Sequence, residues 1–150
     1  EFPEDISQIH FIKLYLYDEK GAEVSSNFYW RSTDRYEGKN TLTGPCTSGF
    51  EDIEKLAHAS LKFNCTYSKD GDKTLIRIKL RNDRRRIAYF VRLQLSDEDG
   101  KPARPSFYSD NFFCMVPGES REILIETFSE TPLTLTVSGT NTSTLQTGIR

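Results

Sequence analysis

The stretch YFVRLQLSDEDGKPARPSFYSDNFF, residues 89–113, decides the fold. It reads as a strong strand, an acidic turn closed by Gly100, a return marked by Pro102 and Pro105, and a second aromatic strand. A shorter version, HFIKLYLYDEKGAEVSSNFYW, occupies residues 10–30. Phe11, Leu14, Leu16, Asp18 and Gly21 fall on Phe90, Leu93, Leu95, Asp97 and Gly100 at one constant offset. After the turn, Asn27 and Phe28 fall on Asn111 and Phe112, so the second copy carries the longer loop. Repetition on this scale points to one supersecondary unit used twice. The second copy is flanked by further strands, whereas the first has little before it. Residues 1–34 are therefore expected to be the C-terminal hairpin of a truncated preceding β-sandwich domain.

Outward from these two copies the chain reads mostly as strands. Residues 8–17 alternate, with Ile12, Leu14 and Leu16 on one face and Phe11, Lys13, Tyr15 and Tyr17 on the other. Residues 35–58 read as a linker with a short helix. Ser48 and Glu51 have capping-box spacing there, and Ile53, Leu56 and Ala57 follow at helical spacing. Residues 60–67 put Leu61, Phe63, Cys65 and Tyr67 on one side, and residues 74–80 turn Ile76, Ile78 and Leu80 inward. Residues 87–95, 106–115, 121–128 and 133–137 complete the series, separated by Gly and Pro turns. Even spacing with period-2 alternation predicts an all-β chain whose main body, residues 59–138, is an immunoglobulin-like antiparallel β-sandwich. Trp30 precedes all three cysteines, so the prediction rests on strand pattern and not on an antibody-type Cys-Trp-Cys arrangement. Residues 139–150, rich in Thr, Ser and Asn, are expected to be a flexible tail.

Composition narrows the function. The chain has 150 residues and a formal charge of -2, which gives no general attraction to nucleic acid. No apolar run approaches the ~20 residues that span a bilayer, so no membrane insertion is expected. The sequence opens at Glu1 without a signal peptide or initiator Met, as a piece of something larger would. Cys46, Cys65 and Cys114 cannot all pair within one chain. A Cys65–Cys114 bridge across the sandwich is the alternative to three free or buried thiols.

Chemistry-bearing patterns are sparse. His10 and His58 are the two histidines, one on a strand face and one ending a short helix, and neither has the surroundings of a nucleophile's base. No Cys-x-x-Cys, His-x-x-x-His, full calcium loop or phosphate-binding Gly loop occurs, so no metal, cofactor or catalytic residue is expected. Asp97-Glu98-Asp99-Gly100 is half a calcium loop, and a charged turn explains it. The run Arg81-Asn82-Asp83-Arg84-Arg85-Arg86 is the one cationic cluster, read as a solvated loop or a contact with an acidic patch on a neighbouring domain. Asn64-Cys65-Thr66 and Asn141-Thr142-Ser143 fit the N-glycosylation sequon. The candidate contact residues are Phe28, Tyr29 and Trp30 in the first copy and Tyr108, Asp110, Asn111 and Phe112 in the second. Packing between domains is the favoured role for these aromatics, and a platform for sugar rings is the alternative.

The same segments carry a family likeness. Residues 24–33 (VSSNFYWRST) resemble the segment that closes the penultimate domain of family 2 glycoside hydrolases of the exo-β-glucosaminidase and β-mannosidase type. Residues 88–92 (AYFVR), 108–113 (YSDNFF) and 116–120 (VPGES) resemble the C-terminal immunoglobulin-like domain of those enzymes. The resemblance implies a non-catalytic accessory region that packs against the catalytic (β/α)8 barrel and the other domains of a parent glycosidase. In that family two glutamates of the barrel hydrolyse the glycosidic bond, and this chain holds no barrel to supply them. It further implies export to the periplasm or the exterior. Two other roles compete: a carbohydrate-binding module with a glycan as partner, and a protein-binding immunoglobulin-like surface domain.

Overall fold

The computed structural model describes residues 6–32, 51–83, 85–130 and 132–150, the first two residues of the second span by backbone alone. Cys46, Arg84, most of the expected linker and the N-terminal half of its capping box lie outside the described residues. The chain divides into two compact units, Glu1–Leu56 and Ala57–Arg150.

The first unit contains a hairpin of β1 (Ile9–Tyr17) and β2 (Glu23–Ser32), paired antiparallel with Leu14 opposite Asn27 and Phe11 opposite Trp30. Its turn is built by Asp18, whose carboxylate accepts from Lys20 N at 2.9 Å and Ala22 N at 2.8 Å. Gly21 takes the left-handed conformation, φ 78°, that closes such a turn. Where a helix is predicted, the structure has a single 3-10 turn at Glu51–Lys55.

The second unit is a sandwich of two antiparallel sheets. One runs β3 (Leu61–Asp70), β4 (Lys73–Asn82), β8 (Ser120–Thr127), β6 (Ser106–Tyr108); the other runs β10 (Leu145–Ile149), β9 (Leu133–Ser138), β5 (Ala88–Ser96), β7 (Phe113–Met115). Every second residue of the long strands points between the sheets. Ile76, Ile78 and Leu80 meet Val91, Leu93 and Leu95, with Ile123, Ile125, Leu135 and Val137 completing a core that is almost wholly buried. Each such side chain contributes about 1.5–3 kcal/mol by leaving water. Thr74 and Asn82 extend the inward row of β4 at its two ends. No disulfide joins Cys65 to Cys114; burial pushes the Cys65 thiol pKa up.

Two expectations are corrected. Residues 106–115, read as one strand, form β6 and β7 in different sheets. The tail, expected to be flexible, is β10: Leu145 pairs with Val137, Ile149 pairs with Leu133, and Ile149 is fully buried. In β5 a bulge between Ala88 and Val91 turns both Ala88 and Tyr89 inward and leaves Phe90 outside at φ 54°.

Candidate functional site

The candidate residues of the second unit sit on the segment that carries the chain from one sheet to the other. The side chains there tie the crossover to one strand of each sheet, β5 and β8. Tyr108 Oη accepts from Leu95 N at 3.0 Å, on β5. Ser109 faces β8, where its Oγ accepts from Leu124 N at 2.9 Å. Asp110 takes an ion pair from Arg121 at 2.5 Å, and the same guanidinium reaches Glu119 at 3.1 Å and lies 4.5 Å over the ring of Phe113. Asn111 returns to β5: its Oδ1 accepts from Leu93 N at 2.9 Å and its Nδ2 donates to Leu93 O at 3.0 Å. A carboxamide that both accepts from and donates to one backbone residue does the work of a neighbouring strand. Tyr108, Asp110 and Asn111 are thus engaged in holding the crossover.

Phe112 is different. It stands half exposed at φ 56°, a conformation that costs a bulky L-residue about 1–2 kcal/mol. Its ring lies 5.8 Å from that of Phe90, the other aromatic in left-handed conformation, and Arg92 sits 5.8 Å over it. Sequence reasoning found Phe112 but not Phe90 or Arg92, because the bulge that brings them together leaves no Gly in the sequence. The outer row of β5 continues from this corner through Arg92 and Gln94 to Ser96, joined to Thr134, Thr136 and Ser138 of β9.

In the first unit Phe28 stacks on Phe11 with centroids 5.7 Å apart and is half buried. Tyr29 is 47% and Trp30 50% exposed, and they point to opposite faces of the hairpin. Leu14 and Leu16 are exposed on the Tyr29 face, Tyr15 and Tyr17 on the Trp30 face. A two-stranded ribbon with apolar side chains on both faces is built to be covered.

A concavity of about 550 Å³ lies on the outer face of the β3-β4-β8-β6 sheet. Leu75, Leu124 and Phe107 make its apolar floor, and Arg77 and Glu126 border it. Glu126 is held by Lys73 at 3.2 Å, and Glu122 bridges Arg77 and Lys79. Among the described residues no group of three or more His, Cys, Asp or Glu side chains is placed to hold a metal ion. His58 Nε2 lies 3.1 Å from Ser143 Oγ, a contact that fastens the start of the sandwich to the loop before β10. No described helix is long and apolar enough to cross a membrane.

Against known proteins, residues 42–142 match the sequence family described as the exo-beta-D-glucosaminidase Ig-fold domain. The exo-beta-D-glucosaminidase of Streptomyces avermitilis is 31% identical over 130 residues, which are 80% of this chain and 14% of that protein. That of Arthroderma benhamiae is 29% identical over 141 residues, 89% of this chain and 16% of its own length. Among solved structures, the Amycolatopsis orientalis exo-chitosanase CsxA matches 97% of this chain with 19% of its own, at a TM-score of 0.79 and 25% identity. The chain therefore spans less than a fifth of the length of these relatives.

Proposed function

Since this chain belongs to the exo-beta-D-glucosaminidase Ig-fold domain family, we propose that it is the accessory, non-catalytic region of a parent glycoside hydrolase acting on β-linked glucosaminides. The observation that carries the proposal is the family match over the sandwich. It is joined by a site whose polar groups are occupied in holding the fold: Tyr108, Asp110 and Asn111 all face the protein's own strands. Hydrolysis belongs in this proposal to a catalytic barrel elsewhere in the parent, and this region packs against that barrel. The β1–β2 hairpin, apolar on both faces, is read as the last two strands of a preceding β-domain. Residues 35–58 then serve as the linker between the two domains. Export to the periplasm or the exterior is the remaining part of the proposal, and fractionation of cells making the parent protein tests it.

The decisive experiment compares three proteins on chitosan oligosaccharides: this chain, the parent, and the parent lacking this region. Glucosamine release by the parent, none by this chain, and lost activity or solubility on deletion is the expected pattern. Release by this chain alone overturns the proposal.

A second reading, direct contact with glycan, is favoured by one observation: two strained, exposed rings, Phe90 and Phe112, meet at a corner of an otherwise hydroxyl- and amide-rich face. Strain at such positions is kept where surroundings or function require it. Calorimetric titration with glucosamine oligosaccharides tests it. Saturable binding lost in Phe112→Ala or Trp30→Ala supports glycan contact, and no binding at millimolar ligand leaves the rings as packing surfaces.

A further inference from the structure

The outer face of the β3-β4-β8-β6 sheet has two unlike halves. Toward the β3–β4 turn, cross-strand rows run Ser68–Leu75–Glu126–Phe107 and Thr66–Arg77–Leu124, forming the apolar groove. Phe107 is 61% exposed there, Leu124 47% and Leu75 38%. Toward the other end, the row Lys62–Arg81–Ser120 sets two cations directly opposite each other. Like charges in that position destabilise a sheet. Arg85 and Arg86 extend the cationic half into the next loop, also exposed. Asp83 is turned to its own loop, where its carboxylate accepts from Arg85 N. Glu122 is already shared by Arg77 and Lys79. Among the described residues, no carboxylate pairs with Lys62, Arg81, Arg85 or Arg86. The opposite sheet turns Thr134, Thr136, Ser138, Gln94 and Gln146 outward and carries a single outward cation in that row, Arg92, which lies over the ring of Phe112.

From this face we infer the docking site of the region on its parent. The occupant is a protein surface of the same polypeptide, with an apolar ridge that enters the groove over Leu75, Leu124 and Phe107. About 20 Å further along the strands, at ~3.3 Å per residue from Leu75 to Arg81, the occupant carries carboxylates that face Lys62 and Arg81. Charge complementarity selects the occupant: a cationic amino-sugar polymer is repelled by this half of the face, whereas carboxylates relieve the Lys62–Arg81 repulsion. The inference rests on the accessory reading given above. It extends that reading from the existence of a docked partner to the surface used.

Hydroxyl-radical footprinting of the full-length parent tests it. Phe107, Leu75 and Leu124 should be oxidised several-fold more slowly in the parent than in this chain, and Lys62→Glu/Arg81→Glu should restore their reactivity. The same double variant should speed proteolytic release of the region. High salt should do likewise in the wild type, since exposed charge pairs are screened. All the substituted side chains point to solvent, so the sandwich itself is expected to survive. Equal oxidation of Phe107 in the parent and in this chain overturns the docking face, as does protection that charge reversal leaves untouched. Protection that arises only when anionic vesicles are added also overturns it, in favour of a membrane surface. If deletion of the region leaves the parent's activity and solubility unchanged, the accessory reading fails instead, and footprint protection would still report a docked face.

Discussion

At the scale of single residues, the sandwich is fastened by carboxamides that stand in for backbone. Asn141 is buried, its Oδ1 accepts from Tyr89 N at 2.8 Å, and its Nδ2 donates to Ala57 O and Ile87 O, each at 2.8 Å. Asn82 does similar work, donating to Arg86 O at 2.7 Å and Met115 O at 2.9 Å. Removing the Asn141 carboxamide leaves the buried Tyr89 N–H without an acceptor and frees two half-buried carbonyls. Asn141→Ala should therefore cost about 2–4 kcal/mol, read as a lowered urea midpoint at unchanged slope. Tyr89, held by the same loop, has its pKa raised to about 12 by burial first and by nearby Cys114 second. The folded protein keeps this proton at a pH where the unfolded chain, near pKa 10, has lost it. Stability should accordingly fall as the pH rises from about 10 to 12, and Tyr89→Phe should flatten that slope in pH-dependent melts. None of this was legible in the sequence. An Asn in a Thr/Ser-rich stretch looks like a loop residue, and its partners lie more than fifty positions away.

At the scale of elements, strands that bury alternate apolar residues could be read directly. β4 puts Ile76, Ile78 and Leu80 inside, as the alternation predicts, and β8 and β9 behave likewise. The two-copy correspondence is also physical. Asp97 repeats the turn of Asp18, accepting from Lys101 N at 2.8 Å beside Gly100 at φ 79°. Leu93 meets Asn111 as Leu14 meets Asn27, but in the second copy the Asn side chain replaces the backbone ladder. That substitution lets the chain leave for the other sheet, and no local pattern encodes it. The left-handed positions escaped for a related reason: Phe90 and Phe112 occupy conformations that usually announce themselves with Gly. Because Gly relieves that strain, Phe112→Gly should keep wild-type stability or exceed it by about 1 kcal/mol in chemical denaturation. β10 was missed because the stretch before it, residues 138–144 (SGTNTST), looks like a frayed tail, and the strand itself offers only Leu145 and Ile149 as apolar residues. Its Ile149 is nonetheless core, and Ile149→Ala should cost about 2–5 kcal/mol by the same measurement.

At the scale of the whole molecule, the family and the sandwich class were legible because both are carried by long segments, the aromatic hairpin and the crossover. Of the candidate contact residues, four turned out to hold the fold at least in part, with Phe28 on Phe11 and Tyr108, Asp110 and Asn111 on neighbouring strands. Composition could not sort them, since a Tyr that stitches a strand and a Tyr that meets a partner are spelled alike. The placement of Asn64 and Asn141 has a consequence for how the protein is made. In a host that attaches N-linked sugars during secretion, the first sequon offers an exposed side chain on the outer face of β3. The second offers an amide already committed to three hydrogen bonds, so a sugar added there before folding would hold the sandwich open. Folded material from such a host should carry one glycan, removable by Asn64→Gln and visible as a single mass shift. A second glycan on folded protein would contradict the buried amide. The Asn64 sugar would lie beside Lys79 and Lys62, on the face inferred to dock. A bacterial host, which leaves Asn64 bare, is the source whose product still presents that face.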